Sequence, residues 1–207
     1  MTRTGPEAPA ALNVSRETIE RLRAFEALII KWNSHINLVS RNSIPHLWAR
    51  HIADSVQVFR CVQSGGHWGD LGSGGGFPGI IVAILAADEA PELAVTLVES
   101  DQRKAAFLRT AARETGASCT VAAERIEAIP PLNADILSAR ALADLATLLG
   151  HAERHLKPGG VALFPKGVTW EKELQRARQE WRFEAEPITS LTEPEAVILK
   201  IEGVSRV

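Results

Sequence analysis

The sequence lacks the features of secreted and membrane-spanning proteins. Its longest apolar stretches, such as residues 79–87, run for about ten residues, roughly half of what a bilayer-spanning helix needs. Residues 1–13 contain one Arg and no apolar segment of the signal-peptide type, so we expect a flexible tail there and no secretory leader. These absences predict a cytoplasmic protein with no membrane partner.

Cysteine is scarce, and neither cysteine nor histidine is clustered. Cys61 and Cys119 lie far apart in the sequence and show no metal-ligand spacing. The six histidines are scattered along the chain. Two reduced thiols in an intracellular protein are the simplest interpretation, and no metal site is predicted.

An excess of positive charge is also absent. The chain has 23 Lys and Arg against 25 Asp and Glu, a net charge of −2, which argues against binding nucleic acid through bulk charge. The distribution is uneven, because residues 31–60 contain four basic residues and a single acid, Asp54. This stretch is either an ordinary basic surface or a contact for phosphates, and charge alone does not decide between them.

The 207 residues, 45% of them apolar, can form one α/β domain with a short appendage. Ser15 can cap a first helix that runs to about residue 34, with apolar residues at helical spacing. A second helix is predicted from Asn42 to the residues 64–66, where Ser and two Gly end it. We therefore predict a helical cap over residues 14–64, followed by the main domain over residues 65–207.

From residue 67 the pattern alternates between strands and helices. Strands are predicted at 68–71, 94–99, 118–122, 134–138 and 161–165, with helices between them and a turn at 157–160. Repeated β-α units indicate a parallel sheet. The last two strands, 182–187 and 196–201, are joined by a short loop and can only pair antiparallel. This ending is typical of class I methyltransferases, whereas dinucleotide-binding domains normally continue in parallel.

A glycine-rich loop, Asp-Leu-Gly-Ser-Gly-Gly-Gly-Phe-Pro-Gly over residues 70–79, follows the first of these strands. Glycines at the carboxyl end of a strand let a ligand approach the backbone closely. A nicotinamide or flavin site is one alternative, but Phe77 stands where the dinucleotide fingerprint needs a small third residue. Asp70 is expected either to orient the loop or to meet the ammonium group of a cofactor.

Glu99 ends the second strand, where a carboxylate can accept hydrogen bonds from both hydroxyls of a ribose. Dinucleotide enzymes and methyltransferases share this geometry, so Glu99 indicates a nucleoside without identifying it. A plain acid at a helix N-terminus is the alternative. Residues 124–127, after the third strand, lie where an adenine amino group is expected in such a fold.

Several motifs together resemble those of the GidB/RsmG family, over residues 31 to the end of the chain. The combination of Arg50-His51-Ile52-x-Asp54-Ser55 with Gly76-Phe77-Pro78-Gly79 is far more specific than a glycine loop alone. The other matching motifs are Trp32-Asn33, Asn37-Leu38, Glu99-Ser100, Phe107-Leu108-Arg109, Arg125-Ile126-Glu127, Ser138-Ala139-Arg140-Ala141 and Lys166-Gly167. Two small departures are Asn133-Ala134-Asp135, where many members have Phe-Asp, and Gly75, where the family often has Pro.

The resemblance implies a class I S-adenosylmethionine-dependent methyltransferase: a Rossmann-like, mostly parallel sheet that ends in an antiparallel hairpin, with an N-terminal helical cap. Family members methylate N7 of a guanine, nucleotide 527, in the 530 loop of bacterial 16S rRNA. It therefore implies S-adenosylmethionine as cofactor and 16S rRNA as partner, within a small ribosomal subunit or an assembly intermediate. The expected cofactor-binding residues are Asp70, Gly72, Ser73, Gly74, Gly76, Phe77, Glu99, Ile126, Glu127 and Arg140.

Methyl transfer to N7 of guanine needs no general base, because N7 carries a lone pair and no proton. Positioning can supply most of the rate, so no catalytic residue is predicted. Arg140 and Lys166 are candidates to donate to guanine O6, and Arg50 and His51 to meet the RNA beside the cofactor. For Arg50 and His51, the resemblance favours a helix that covers the cofactor and meets RNA phosphates.

Structural alternatives exist for each of these substrate candidates. Arg140 can pair with Glu99 or Asp144, Lys166 can be a solvated charge, and Arg50 can pair with Asp54 four residues on. Trp32 and Trp48 are predicted to be core residues. Other functions that stay open are methylation of a different substrate, dinucleotide-dependent oxidoreduction and a non-catalytic RNA-binding module.

Overall fold

The computed structural model describes residues 12–63 and 65–207. The tail predicted over residues 1–13 therefore lies, up to residue 11, outside the described residues, as does Ser64 at the predicted domain boundary. The division of the chain at that boundary remains a prediction. Across the described ranges, no helix is both long and apolar enough to cross a membrane.

The first helix, α1 (Arg16–Asn33), begins where the sequence predicted it. The Ser15 hydroxyl accepts the Thr18 amide at 3.1 Å and so caps the helix. Leu22, Phe25 and Ile29 are fully buried on one face, and α1 packs against α3 (Gly79–Glu89) and α4 (Gln102–Thr115). The helical cap is thus held by apolar contacts with the helices that follow the glycine loop.

The second predicted helix is present over residues 41–60, but its geometry changes along its length. Residues Arg41–His46 form a 3₁₀ turn that contains Pro45, Trp48–Ile52 form a π-helical turn, and α2 (Ala53–Arg60) follows. Pro45 has no amide hydrogen to donate within the 3₁₀ turn, yet Leu47 continues the segment with right-handed helical dihedrals. The π-helical turn contains Arg50 and His51, and such turns are frequent at functional sites.

Seven strands of the described chain form one sheet, in the order β3-β2-β1-β4-β5-β7-β6. The strands are β1 (His67–Leu71), β2 (Ala94–Val98), β3 (Thr120–Ala122), β4 (Ala134–Ala139), β5 (Leu156–Lys166), β6 (Trp181–Thr189) and β7 (Val197–Arg206). The first five pair in parallel, and β7 pairs antiparallel with both β5 and β6. The predicted antiparallel ending is confirmed. The chain order reverses between β1 and β4, where open α/β sheets bind their ligands.

Two apolar clusters cover the two faces of the sheet. The first cluster contains residues of the four helices α1, α2, α3 and α4. The second contains residues of α5 (Leu145–His155) and α6 (Trp170–Ala177). Neighbouring strand residues enter different clusters, as Ile136 and Leu137 do in β4. Trp48 is buried, as predicted, and Trp32 packs partly buried against the ring of Phe107.

The turn predicted at residues 157–160 falls inside the range of β5, which runs through it as an irregular stretch. The pairing of β4 with β5 shifts between Ala134 and Ile136, and Gly159 takes a φ of +77°. The extra residues are therefore absorbed as a bulge within the strand. Glycines suit both a turn and such a bulge, so composition alone does not separate them.

Candidate functional site

The glycine loop leaves β1 in a backbone conformation that favours glycine. Gly72, Gly74 and Gly76 have φ values of +63°, +52° and +86°. A Cβ at Gly76 would lie 2.8 Å from Ile80, so this glycine allows the loop to pack on the core. A Cβ at Gly74 would meet only the Gly72 carbonyl oxygen, at 3.6 Å. The Gly74 side of the loop is thus the side open to a ligand.

Glu99 fastens this loop to the end of β2. One carboxylate oxygen accepts the Gly74 amide and the other accepts the Asp101 amide, each at 2.8 Å. Each carboxylate oxygen can accept a second hydrogen bond, so Glu99 can also receive hydroxyl groups. Asp101 in turn caps α4 through the amides of Arg103 and Lys104. The acid that caps the start of α4 is therefore Asp101, and not Glu99.

Asp70 is buried beneath the loop and does not line the cavity above it. It accepts the Ser138 hydroxyl at 2.6 Å, and that hydroxyl accepts the indole N–H of Trp68 at 2.9 Å. Burial raises the pKa of Asp70 to about 6, although hydrogen bonds from Ser138 and Ser73 act in the opposite direction. Of its two predicted roles, orientation of the strand ends is the one that this position favours.

A cavity of about 520 Å³ opens between the glycine loop and the ends of β2, β3 and β4. Eight of the ten expected cofactor residues line it, namely Gly72, Ser73, Gly74, Phe77, Glu99, Ile126, Glu127 and Arg140. Asp70 and Gly76 do not. Leu38, from the cap, and Thr147 and His151, from α5, also line the cavity, although they were not among the predicted site residues. Leu38 belongs to a family motif, whereas nothing in the sequence distinguishes Thr147 and His151 from other helix residues.

Arg140 follows β4 and contacts the helical cap. Its guanidinium donates to His51 Nδ1 at 2.8 Å and lies 5.1 Å from the centre of the Phe77 ring. Burial lowers the pKa of Arg140, while the carboxylates of Asp54 and Asp70 raise it. The predicted ion pairs of Arg140 with Glu99 or Asp144 are absent among the described residues, where those acids bind backbone amides instead. Arg140 therefore keeps donors for another partner.

His51 is a neutral imidazole that supports Arg140. Burial, followed by the charges of Arg140 and Arg50, lowers the pKa of His51 to about 4. Because Nδ1 accepts from Arg140, the proton of the neutral ring belongs on Nε2, which is buried without a hydrogen-bond partner in the described chain. The ring centre of His51 lies 5.2 Å from that of Phe77. His51 thus connects the cap to the end of β4 and has no free lone pair.

A second cavity, of about 630 Å³, adjoins the first. Arg140, Ala141 and Ala143 line both cavities. The second is otherwise formed by the cap, the end of β5 and the loop 190–196 between β6 and β7. It brings together the four predicted substrate-binding residues, Arg50, His51, Arg140 and Lys166.

Two of the structural alternatives for residues around the second cavity are contradicted. Arg50 lies 3.5 Å from Glu193, and it does not form the alternative ion pair with Asp54. The Lys166 side chain is 9% exposed, so it is not a solvated charge. Its ammonium binds the Glu173 carboxylate at 2.8 Å and the Ala143 carbonyl at 2.9 Å.

Within the described ranges, no three His, Cys, Asp or Glu side chains come together as metal ligands.

The fold and the position of the first cavity define a class of protein. An S-adenosylmethionine-dependent methyltransferase from Aquifex aeolicus superposes with a TM-score of 0.60 at 13% identity, over 86% of this chain and 98% of that one. A mutant of MtNAS in complex with S-adenosylmethionine gives a TM-score of 0.59 at 13% identity, over 90% of this chain and 72% of that one. The fold is that of the class I S-adenosylmethionine-dependent methyltransferases.

The family is fixed by sequence. The GidB model, described as rRNA small subunit methyltransferase G, matches residues 18–198. A relative named ribosomal RNA small subunit methyltransferase G, from Ruegeria pomeroyi, is 65% identical over 196 residues, 95% of this chain and 96% of the relative. One from Cereibacter sphaeroides is 54% identical over 199 residues, 96% of this chain and 97% of the relative. The chain belongs to the GidB family, which confirms the resemblance drawn from its motifs.

Proposed function

We propose that this protein transfers a methyl group from S-adenosylmethionine to N7 of guanine 527 in the 530 loop of 16S rRNA, in the bacterial cytoplasm. Membership of a family described as rRNA small subunit methyltransferase G supports the RNA substrate. The guanine, its N7 atom and its position are what the motif resemblance implies.

The first cavity suits S-adenosylmethionine in size and in its polar groups. Its volume of about 520 Å³ is within the range of small-molecule sites. Glu99 has acceptor capacity left for ribose hydroxyls, and the open side of Gly74 leaves space for the methionine part. Residues 124–127, together with Thr147 and His151, form the wall for the adenine. The cofactor, when bound, supplies the electrophilic methyl group.

The observation that carries the proposal is that the second cavity adjoins the first along Arg140. A base held in the second cavity can face a methyl group held in the first. Arg140 is placed to donate to O6 of a guanine, because only one of its N–H groups is used by His51. This leaves the neighbouring N7 lone pair free for in-line attack.

His51 is not available as a general base in the described site, and attack by N7 does not need one. His51 is the titratable ring nearest to Arg140, and its Nδ1 lone pair accepts from that guanidinium. The ring therefore has no lone pair with which to remove a proton. Its role here is to hold Arg140 and Phe77 at the junction of the two cavities.

The test is methylation of small subunits from cells without this activity, using purified protein and labelled S-adenosylmethionine. Mass mapping of the rRNA should locate one methyl group on guanine 527. A subunit reconstituted with 7-deazaguanine at that nucleotide has no N7 lone pair and should not react. Methylation of the deaza substrate, or of another nucleotide, contradicts the proposal. So does calorimetric binding of NAD in place of S-adenosylhomocysteine.

A further inference from the structure

A carboxylate without a cationic partner faces the second cavity. Asp54, in α2, is half-buried and lines this cavity. Within the described ranges no Lys, Arg or His nitrogen lies within 4.0 Å of its carboxylate. Buried carboxylates are normally paired, because desolvation of a charge is costly. The position of Asp54 therefore calls for a further hydrogen-bond donor.

One oxygen of Asp54 is held and the other is free. Oδ1 accepts the hydroxyl of Ser190 at 3.2 Å and also that of Thr192, both from the β6–β7 loop. Oδ2 has no hydrogen-bond partner in the described chain, and it is not sealed from solvent. The two hydroxyls fix the orientation of the carboxylate and leave Oδ2 as an acceptor toward the cavity.

The nearest cations are committed elsewhere. Arg50 precedes Asp54 by one helical turn but contacts Glu193 at the rim. Lys166 pairs with Glu173 at 2.8 Å. Burial raises the pKa of Asp54 and the charge of Arg140 acts in the opposite direction, yet the hydrogen bond of Arg140 goes to His51. Asp54 thus lies beside the Arg140 donors without neutralising them.

An acceptor next to a donor matches one nucleobase edge. Guanine presents O6, N1–H and the N2 amino group in a row, with N7 beyond O6. We infer that Asp54 forms a subsite that accepts N1–H and N2–H of the target guanine, while Arg140 donates to O6 and N7 faces the cofactor cavity. This rests on the proposed function. Adenine is rejected there, since its N1 is an acceptor that would oppose the carboxylate.

The experiment measures single-turnover methylation of small subunits that carry guanosine or inosine at nucleotide 527. Inosine keeps O6, N7 and N1–H but lacks the N2 amino group. The wild type should methylate inosine about 10- to 100-fold more slowly, the effect of one hydrogen bond to a charged group. Asp54→Asn should be slow on both substrates and should lose this discrimination. Comparing the two ratios cancels any intrinsic difference in the reactivity of N7.

Two variants keep the test decisive. Thr192→Val retains the carboxylate but removes one hydroxyl that orients it, so it should show a reduced guanosine-to-inosine ratio even if Asp54→Asn folds poorly. Glu195→Gln changes an exposed acid of the same loop that does not line the cavity, and it should keep the wild-type ratio. Affinity for S-adenosylhomocysteine should be unchanged throughout.

The outcomes separate this inference from the proposed function. Equal wild-type rates on guanosine and inosine overturn the Asp54 subsite and leave the proposed function intact. The same holds for an inosine penalty that persists undiminished in Asp54→Asn. Absence of methylation on the guanosine subunit overturns both.

Discussion

At the scale of single residues, Glu99 connects the glycine loop to β2 through two backbone amides. Glu99→Gln replaces one acceptor oxygen by a donor that opposes a backbone N–H. We expect affinity for S-adenosylhomocysteine to fall by about 1.5–3 kcal/mol, as for a hydrogen bond to a charged group. Calorimetry measures this, and Glu92→Gln, in an exposed position before β2, is the control. Wild-type affinity in Glu99→Gln contradicts the assigned role.

His51 gives a prediction about stability and pH. Its pKa is about 4 in the folded protein, against an unperturbed value near 6.5, so between these values the unfolded chain binds more protons. The contribution of His51 to stability is therefore present above pH 6.5 and is lost as the pH falls toward 4. Asp70, with a pKa raised to about 6, has the opposite dependence.

The variant His51→Gln cannot titrate, and it isolates this effect. Its free energy of unfolding should improve relative to that of the wild type as the pH is lowered from 7 to 4.5. Urea unfolding at both pH values measures the difference, from which the contribution of Asp70 cancels. A difference between the two proteins that does not change with pH excludes the depressed pKa of His51.

At the scale of elements, α1 is held by its apolar face. Phe25 is fully buried and lies 5.2 Å, centre to centre, from the ring of Phe77 in the glycine loop. Phe25→Ala should destabilise the protein by about 3–5 kcal/mol, the range for truncation of a buried aromatic residue. Ile30→Ala, on the exposed side of the same helix, should change stability by less than about 0.5 kcal/mol. Chemical denaturation measures the loss of stability in each variant. Similar losses in Phe25→Ala and Ile30→Ala would contradict the conclusion that the buried face of α1 holds the cap to the loop.

The elements that could be predicted from sequence are those with local signals. Ser15 and Asp101 cap helices through their own side chains, and Gly116 ends α4 with a φ of +65°. The bulge at Gly159 depends on the pairing of β5 with β4, a distant part of the chain. Such long-range contacts leave no local periodicity to detect.

The residues of the candidate site likewise include some that local signals predict and others that only long-range contacts bring together. Residues of the glycine loop and Glu99 follow strand ends, so their position could be predicted from the order of elements. Asp54 belongs to a family motif but was given no role beyond a possible ion pair with Arg50, because its contacts with Ser190 and Thr192 span more than 130 positions. The inward side of α5, with Thr147 and His151, was missed for the same reason.

At the scale of the whole molecule, a net charge of −2 has to meet a polyanion. Arg41 and Arg50 are exposed near the second cavity, whereas Arg60 binds Glu89 at 2.8 Å and is less available than the sequence suggested. Each phosphate contact steepens the fall of binding with salt. We expect Arg41→Glu combined with Arg50→Glu to weaken RNA binding and to reduce the salt slope by about 2, one unit per contact.

Binding of small subunits at several salt concentrations measures this slope. Arg113→Glu, a charge reversal at the far end of α4, is the control for a reversal outside the proposed interface, and cofactor affinity should be unaltered in both proteins. A wild-type slope in the double variant would show that these arginines do not contact the RNA.

Because few contacts are expected, an assembled subunit should also be a better substrate than deproteinised rRNA, in which the loop has no fixed shape.

The position of β7 has a consequence for synthesis of the chain. β7 is made after β6 but lies between β5 and β6, and β6 pairs with no other strand of the described sheet. While the ribosome is still translating this region, one side of β5 is an open sheet edge, and β6 has nothing to join. Unpaired edges of this kind invite association with other chains. A nascent chain stalled before Val197 should therefore be the species that most needs a chaperone.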